Sequence, residues 1–165
     1  MLIAFLCLAT SILSATEIQL SYELNPESVA YSSAPNDYEF VKLDAKNYAL
    51  GEDPVGKPWL PSRVIYVLIP TGATNVTVSA TAVEQRLRGD INVRPAQPPY
   101  PLSKPAPQFV SGIPDAYASD VKYPSSLAVK GRVDDMRGNH LLFIRLNPLR
   151  YVAATKELYL ATTLN

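Results

Sequence analysis

Fifteen prolines are spread through this chain of 165 residues, against seven glycines. Proline fixes φ and has no N–H. Inside a helix it removes a hydrogen bond and clashes with the preceding turn. Long helices are therefore disfavoured, and extended segments joined by stiff connections remain. Ten tyrosines suit half-buried strands whose ring tips reach water. The length is enough for one domain with a real core.

Apolar spacing then places the strands. Ile18, Leu20, Tyr22 and Leu24 share one parity, the period of a half-buried strand over residues 16–24. Residues 25–37, rich in Ser, Pro, Asn and Ala, read as a connection, and Tyr38 to Leu43 as a second strand. Residues 48–61 are loop-like and hold the single tryptophan, Trp59, as an expected packing anchor. Val64 to Ile69 is a continuous apolar run ended by Pro70, the best central strand. After the turn Thr71-Gly72-Ala73, the parity of Val76, Val78 and Ala80 predicts its hairpin partner. Further strands are expected over Ala82–Arg88, Ser125–Val133, His140–Leu146 and Glu157–Thr163, with Asp134 to Gly138 as a charged turn. Eight to ten short strands without an amphipathic helix predict an all-β, antiparallel β-sandwich, jelly-roll-like in form.

The first fifteen residues differ from the rest. Leu2 to Leu13 carries no charge and is apolar apart from Thr10 and Ser11. About twelve residues are too few to span a hydrocarbon core of about 30 Å. The run fits the apolar region of a secretory signal peptide over 1–15, with the small residues Ser14 and Ala15 near the cleavage point. A buried N-terminal strand or helix is the alternative. Residues 16–165 are then one β-sandwich domain, exported to the exterior or the cell surface of a bacterium. The lone Cys7 lies in the leader, and Leu8 after it is a poor match to a lipid anchor. The mature chain has no disulfide framework, and stable membrane insertion is not expected.

Fifteen basic residues balance fifteen acidic ones, so no basic stripe argues for nucleic acid. One histidine, His140, cannot supply a metal-ligand cluster, and Asp134-Asp135 lacks the alternating oxygen ligands of a calcium loop. No Gly-x-Ser-x-Gly elbow and no phosphate-binding glycine loop is present. Groups for general catalysis are sparse, and the expectation is a non-enzyme without cofactor or metal. Asn75-Val76-Thr77 matches the glycosylation triplet, which is common by chance. The segment from Pro95 to Pro124 holds eight prolines, with Pro98-Pro99-Tyr100-Pro101 able to adopt a polyproline conformation. A connection this long in a compact domain is usually functional or disordered, so partner contacts are expected here.

Several pieces, in order, resemble one family. They are Gly56-Lys57-Pro58-Trp59-Leu60-Pro61, the strand Val64–Ile69 ending in Pro70-Thr71-Gly72, Pro95-Ala96-Gln97-Pro98-Pro99-Tyr100-Pro101, Tyr123-Pro124, and Arg137-Gly138 through the strand and Pro148 to Tyr151. Together they span residues 40–165. The series resembles the pro-domain of gingipain-type cysteine peptidases. It departs from the family at Val152-Ala153-Ala154, where Asn-Pro or similar follows the final Tyr. The resemblance implies a domain that assists folding of a caspase-like cysteine protease catalytic domain and keeps it latent by occupying its cleft, in cis or in trans. These residues hold no catalytic domain, so a truncated precursor or a free-standing pro-domain-like protein is expected. Gingipains cleave after Arg or Lys, so the resemblance implies a basic side chain that plugs the specificity pocket. By chemistry Lys104, flanked by prolines in Leu102-Ser103-Lys104-Pro105, is the neatest protease-contact candidate, with Lys122, Lys130 and Arg132 as rivals. The alternative function is a non-catalytic binding or adhesion module, with Trp59 and the tyrosines as an exposed platform.

Overall fold

The prolines and the parity of the apolar runs come together in a fold of ten short strands among the described residues, which are 17–51, 53–73 and 75–165 of a computed structural model. The expected signal peptide, residues 1–15, and Cys7 within it lie outside them. One sheet is built on the two most apolar runs. Strands β4 (Ala49–Leu50), β5 (Pro61–Ile69), β7 (Ala128–Met136) and β8 (Asn139–Leu146) lie in the order β4-β5-β8-β7, all antiparallel. The register pairs Ile65 with Ile144 and Tyr66 with Phe143. Ile65, Ile69, Leu142, Ile144 and Leu146 consequently share the buried face. On the other face Tyr66 and Phe143 meet edge-to-face, with centroids 4.6 Å apart.

The second sheet is organised by β10 (Glu157–Leu164). Strand β6 (Ala82–Arg88) runs along one side of it, and β9 (Leu149–Val152) and β1 (Tyr22–Glu23) share the other. Ala161 and Leu164 meet the first sheet's buried face. Leu158 and Leu160 instead line a second core beneath the hairpin β2 (Val29–Ser33) and β3 (Glu39–Leu43), with Val41, Ile91, Val93, Leu149 and Tyr151. Tyr151 is 1% exposed, and its hydroxyl donates to the Ile91 carbonyl at 2.9 Å. The packing is a sandwich of antiparallel sheets, and the first sheet is open rather than closed into a barrel.

Five expectations change, the first being residues 25–37, read as a connection, which hold strand β2 paired with β3. The run Val64–Ile69 has no hairpin partner in residues 75–80; β5 pairs with β8 and β4. Val76, Val78 and Ala80 still pack on the core, so their alternation reflects one-sided burial without a backbone ladder. Of the described residues 17–24 only Tyr22 and Glu23 are laddered, and Ile18 and Leu20 are exposed. Strand β9 occupies residues 149–152, between two expected strands and outside both. The charged turn is tighter than expected: Asp134 to Met136 belong to β7, and Arg137-Gly138 alone turn the chain, with φ of 51° and 80°. Positive φ at both positions is the geometry of a two-residue hairpin whose twist matches its strands.

Candidate protease-contact loop

The proline-rich segment does not drift over the surface. Its root, residues 91–97, is stitched on both sides. Glu39 N donates to the Asn92 carbonyl and Arg94 N to the Glu39 carbonyl, each at 2.8 Å. Trp59 N donates to the Arg94 carbonyl at 2.9 Å, and Ala96 N to the Lys57 carbonyl at 2.8 Å. Val93, Pro95 and Ala96 are buried.

At the end of this root the Gln97 side chain does what a backbone would do in a ladder. Its Nε2 donates to the Val110 carbonyl at 2.8 Å, and its Oε1 accepts from Val110 N at 2.8 Å. Nε2 also lies 3.1 Å from the Pro95 carbonyl. Residues thirteen apart in sequence are thereby joined, and the chain between them forms a closed loop.

The returning limb of the loop is held by rings. Phe109 packs on Tyr38, with centroids 5.8 Å apart, and Tyr38 meets Tyr117 edge-on at 5.8 Å. Gly112 N donates to the Tyr38 hydroxyl at 3.1 Å. A side chain at Gly112 would collide with the Tyr117 ring, since its Cβ would lie 2.3 Å from a ring carbon. Tyr117, on the single-turn helix α1 (Pro114–Tyr117), donates to the Val93 carbonyl at 2.6 Å, and burial pushes its phenol far above the ordinary range. Under the root, the Arg94 guanidinium lies 4.4 Å from the Phe40 centroid, 5.4 Å from Trp59 and 5.7 Å from Phe109.

Above the clamp the loop is open to solvent. Lys104 N donates to the Pro101 carbonyl at 3.0 Å, which turns the chain at Leu102-Ser103. Leu102 is 98% exposed. Lys104 is exposed, and its ammonium makes no hydrogen bond or ion pair among the described residues. Pro98, Pro99, Pro101, Pro105 and Pro107 stiffen the same segment.

The other three basic candidates are engaged elsewhere. Lys122 Nζ lies 2.7 Å from Glu84 Oε2 and 4.0 Å from the Tyr159 centroid. Lys130 Nζ donates to the Val76 carbonyl at 2.7 Å. Arg132 pairs with Asp134 at 2.8 Å and covers the Phe143 ring at 5.1 Å. The two acids of β7 are also accounted for, Asp134 by Arg132 and Asp135 by His140. No group of three or more potential metal ligands occurs among the described residues. Nor is any helix among them long and apolar enough to cross a membrane. Trp59 is half-buried and donates from Nε1 to the Gly51 carbonyl at 2.8 Å, which suits an anchor and not an exposed platform. The Gln97 bridge and the Arg94 stack escaped the sequence reading, because neither partner is near in sequence.

The chain matches no protein-family model, and no curated protein matches it in sequence. Solved structures do match. A chain from the complex of Porphyromonas gingivalis RgpB pro- and mature domains aligns with a TM-score of 0.68 at 15% identity, over 87% of this chain and 74% of that one. A structure described as giving insight into zymogenic latency of gingipain K, from the same organism, aligns with a TM-score of 0.61 at 21% identity, over 82% and 77%. This is a gingipain propeptide-like fold. Within the gingipain propeptide-like fold the resembling segments acquire physical roles. Pro95-Ala96-Gln97 builds the root of the loop, Arg137-Gly138 forms the β7–β8 turn, and Tyr123 docks on Tyr151 through paired backbone hydrogen bonds of 2.8 and 2.7 Å.

Proposed function

We propose that this chain is the non-catalytic pro-domain, or a pro-domain-like partner, of an exported gingipain-type cysteine protease. It assists folding of a caspase-like catalytic domain and holds that domain latent, in cis or in trans, after the leader 1–15 is removed. The fold likeness supports a propeptide role. The observation that carries the inhibitory step is Lys104: an exposed ammonium, without an ion pair or hydrogen bond among the described residues, on a stiff, closed loop. A side chain so presented enters an acidic specificity pocket with little ordering cost. Lys122, Lys130 and Arg132 would first have to give up the contacts they make.

The test is titration of the purified chain against the mature domains of gingipain K and RgpB. Inhibition is expected for at least one of them. Lys104→Ala should weaken it about a hundredfold, the scale of losing a buried, charge-assisted contact. Lys130→Ala should leave it within about twofold, a change that corresponds to a few tenths of a kcal/mol. No inhibition of either enzyme, together with no gain in the yield of active protease on co-expression, would overturn the proposal.

A further inference from the structure

The loop that carries Lys104 leaves and re-enters the body at one point, where the Gln97 side chain bridges its two limbs. Resting on the Lys104 reading, we propose that Gln97 is a positioning residue, which together with Pro105 makes this loop an uncut inhibitor and not a substrate. A protease that accepts Lys104 attacks its carbonyl carbon. The C–N bond to residue 105 then breaks, water supplies the new carboxyl oxygen, and the leaving nitrogen gains a proton. Pro105 opposes that step, because its nitrogen sits in a ring that crowds the departing side.

Gln97 opposes the step that follows. Its amide holds Val110 by both N–H and C=O, while Phe109 rests on Tyr38 and Arg94. Newly cut ends would stay close together, at high effective concentration, and rejoin more often than they part. The five prolines between the clamp points act in the same direction by limiting how far the ends can diverge. The partner recognised is a Lys- or Arg-specific protease with room for an apolar residue beside its basic-side-chain pocket. Leu102, at the apex, is nearly free of contact with its own chain.

The experiment follows cleavage after Lys104 by mass spectrometry, with mature gingipain K and trypsin as probes. The full chain is compared as wild type, Pro105→Ala, Gln97→Leu/Pro105→Ala and Gln97→Glu/Pro105→Ala. Hydrogen exchange at the Val110 amide and the thermal midpoint are measured on each. Wild type should stay uncut and P105A should be cut slowly. Q97L/P105A should be cut at least tenfold faster by trypsin, with Val110 exchange accelerated and the midpoint nearly unchanged. Q97E keeps the acceptor for Val110 N–H and should give an intermediate rate, which also serves if Q97L folds poorly. Equal cleavage rates for P105A and its Gln97 variants, with Val110 exchange accelerated, would overturn the inference. Failure of the Lys104 reading looks different: K104A would then leave gingipain K inhibition unchanged, while trypsin cleavage of the P105A series still reports the clamp.

Discussion

Glu84 shows how single residues tie the segments of this fold together. Its two oxygens bind Arg150 Nε at 2.6 Å and Lys122 Nζ at 2.7 Å, joining β6, β9 and the segment before β7. The hydrogen bond from Arg150 holds its carboxyl below the usual carboxylate range, against the opposing effect of burial, and Lys122 adds to it. The folded form therefore releases its proton more readily than the unfolded chain. Stability from this group is complete above the unfolded pKa and is lost as pH falls through the lower folded value. Glu84→Gln should flatten the acid limb of a stability–pH curve measured by urea unfolding below about pH 5, where unfolded carboxylates begin to take up protons. An unchanged acid limb would contradict this role. Tyr151 tests burial directly. Tyr151→Phe strands the Ile91 carbonyl in the core and should cost about 1–3 kcal/mol in denaturant unfolding.

Among the elements, the β7–β8 hairpin has the clearest local logic. Arg137 adopts φ 51° and Gly138 φ 80°. Glycine does so freely, whereas arginine is disfavoured there and asparagine is tolerated. Arg137→Asn should therefore stabilise the domain by up to about 1 kcal/mol, seen as a higher thermal midpoint. A lower midpoint would mean that Arg137 makes a contact worth more than its backbone cost. Strand β7 lies at the sheet edge and carries Lys130, Arg132, Asp134 and Asp135, charges that discourage pairing with another chain. The turn and the strand β8 could be read from sequence because their signals are local. Residues 75–80 could not, since alternation specifies a buried face and says nothing about which backbone lies alongside.

At the scale of the whole molecule, β10 couples the two cores. Leu160 belongs to the core under the β2–β3 hairpin, and Leu164 to the core between the sheets. Leu160→Ala and Leu164→Ala should each cost about 2–5 kcal/mol and lower one shared, cooperative transition. Two separable transitions, each sensitive to only one substitution, would show that the cores unfold independently.

Proline content and the period of the apolar runs determined the all-β class, most strands and the position of the proline-rich segment, because steric limits on φ and alternation act between near neighbours. The resemblance to gingipain-type pro-domains put Lys104 among four basic candidates, and only its chemistry ranked it first. Tertiary structure decided the rest. It paired β5 with β8, inserted β9 alongside β10, closed the loop through Gln97 and Val110, and engaged Lys122, Lys130 and Arg132, while Lys104 makes no hydrogen bond or ion pair among the described residues. Each of these outcomes joins groups distant in sequence, and such partners are chosen by the packing of the complete chain.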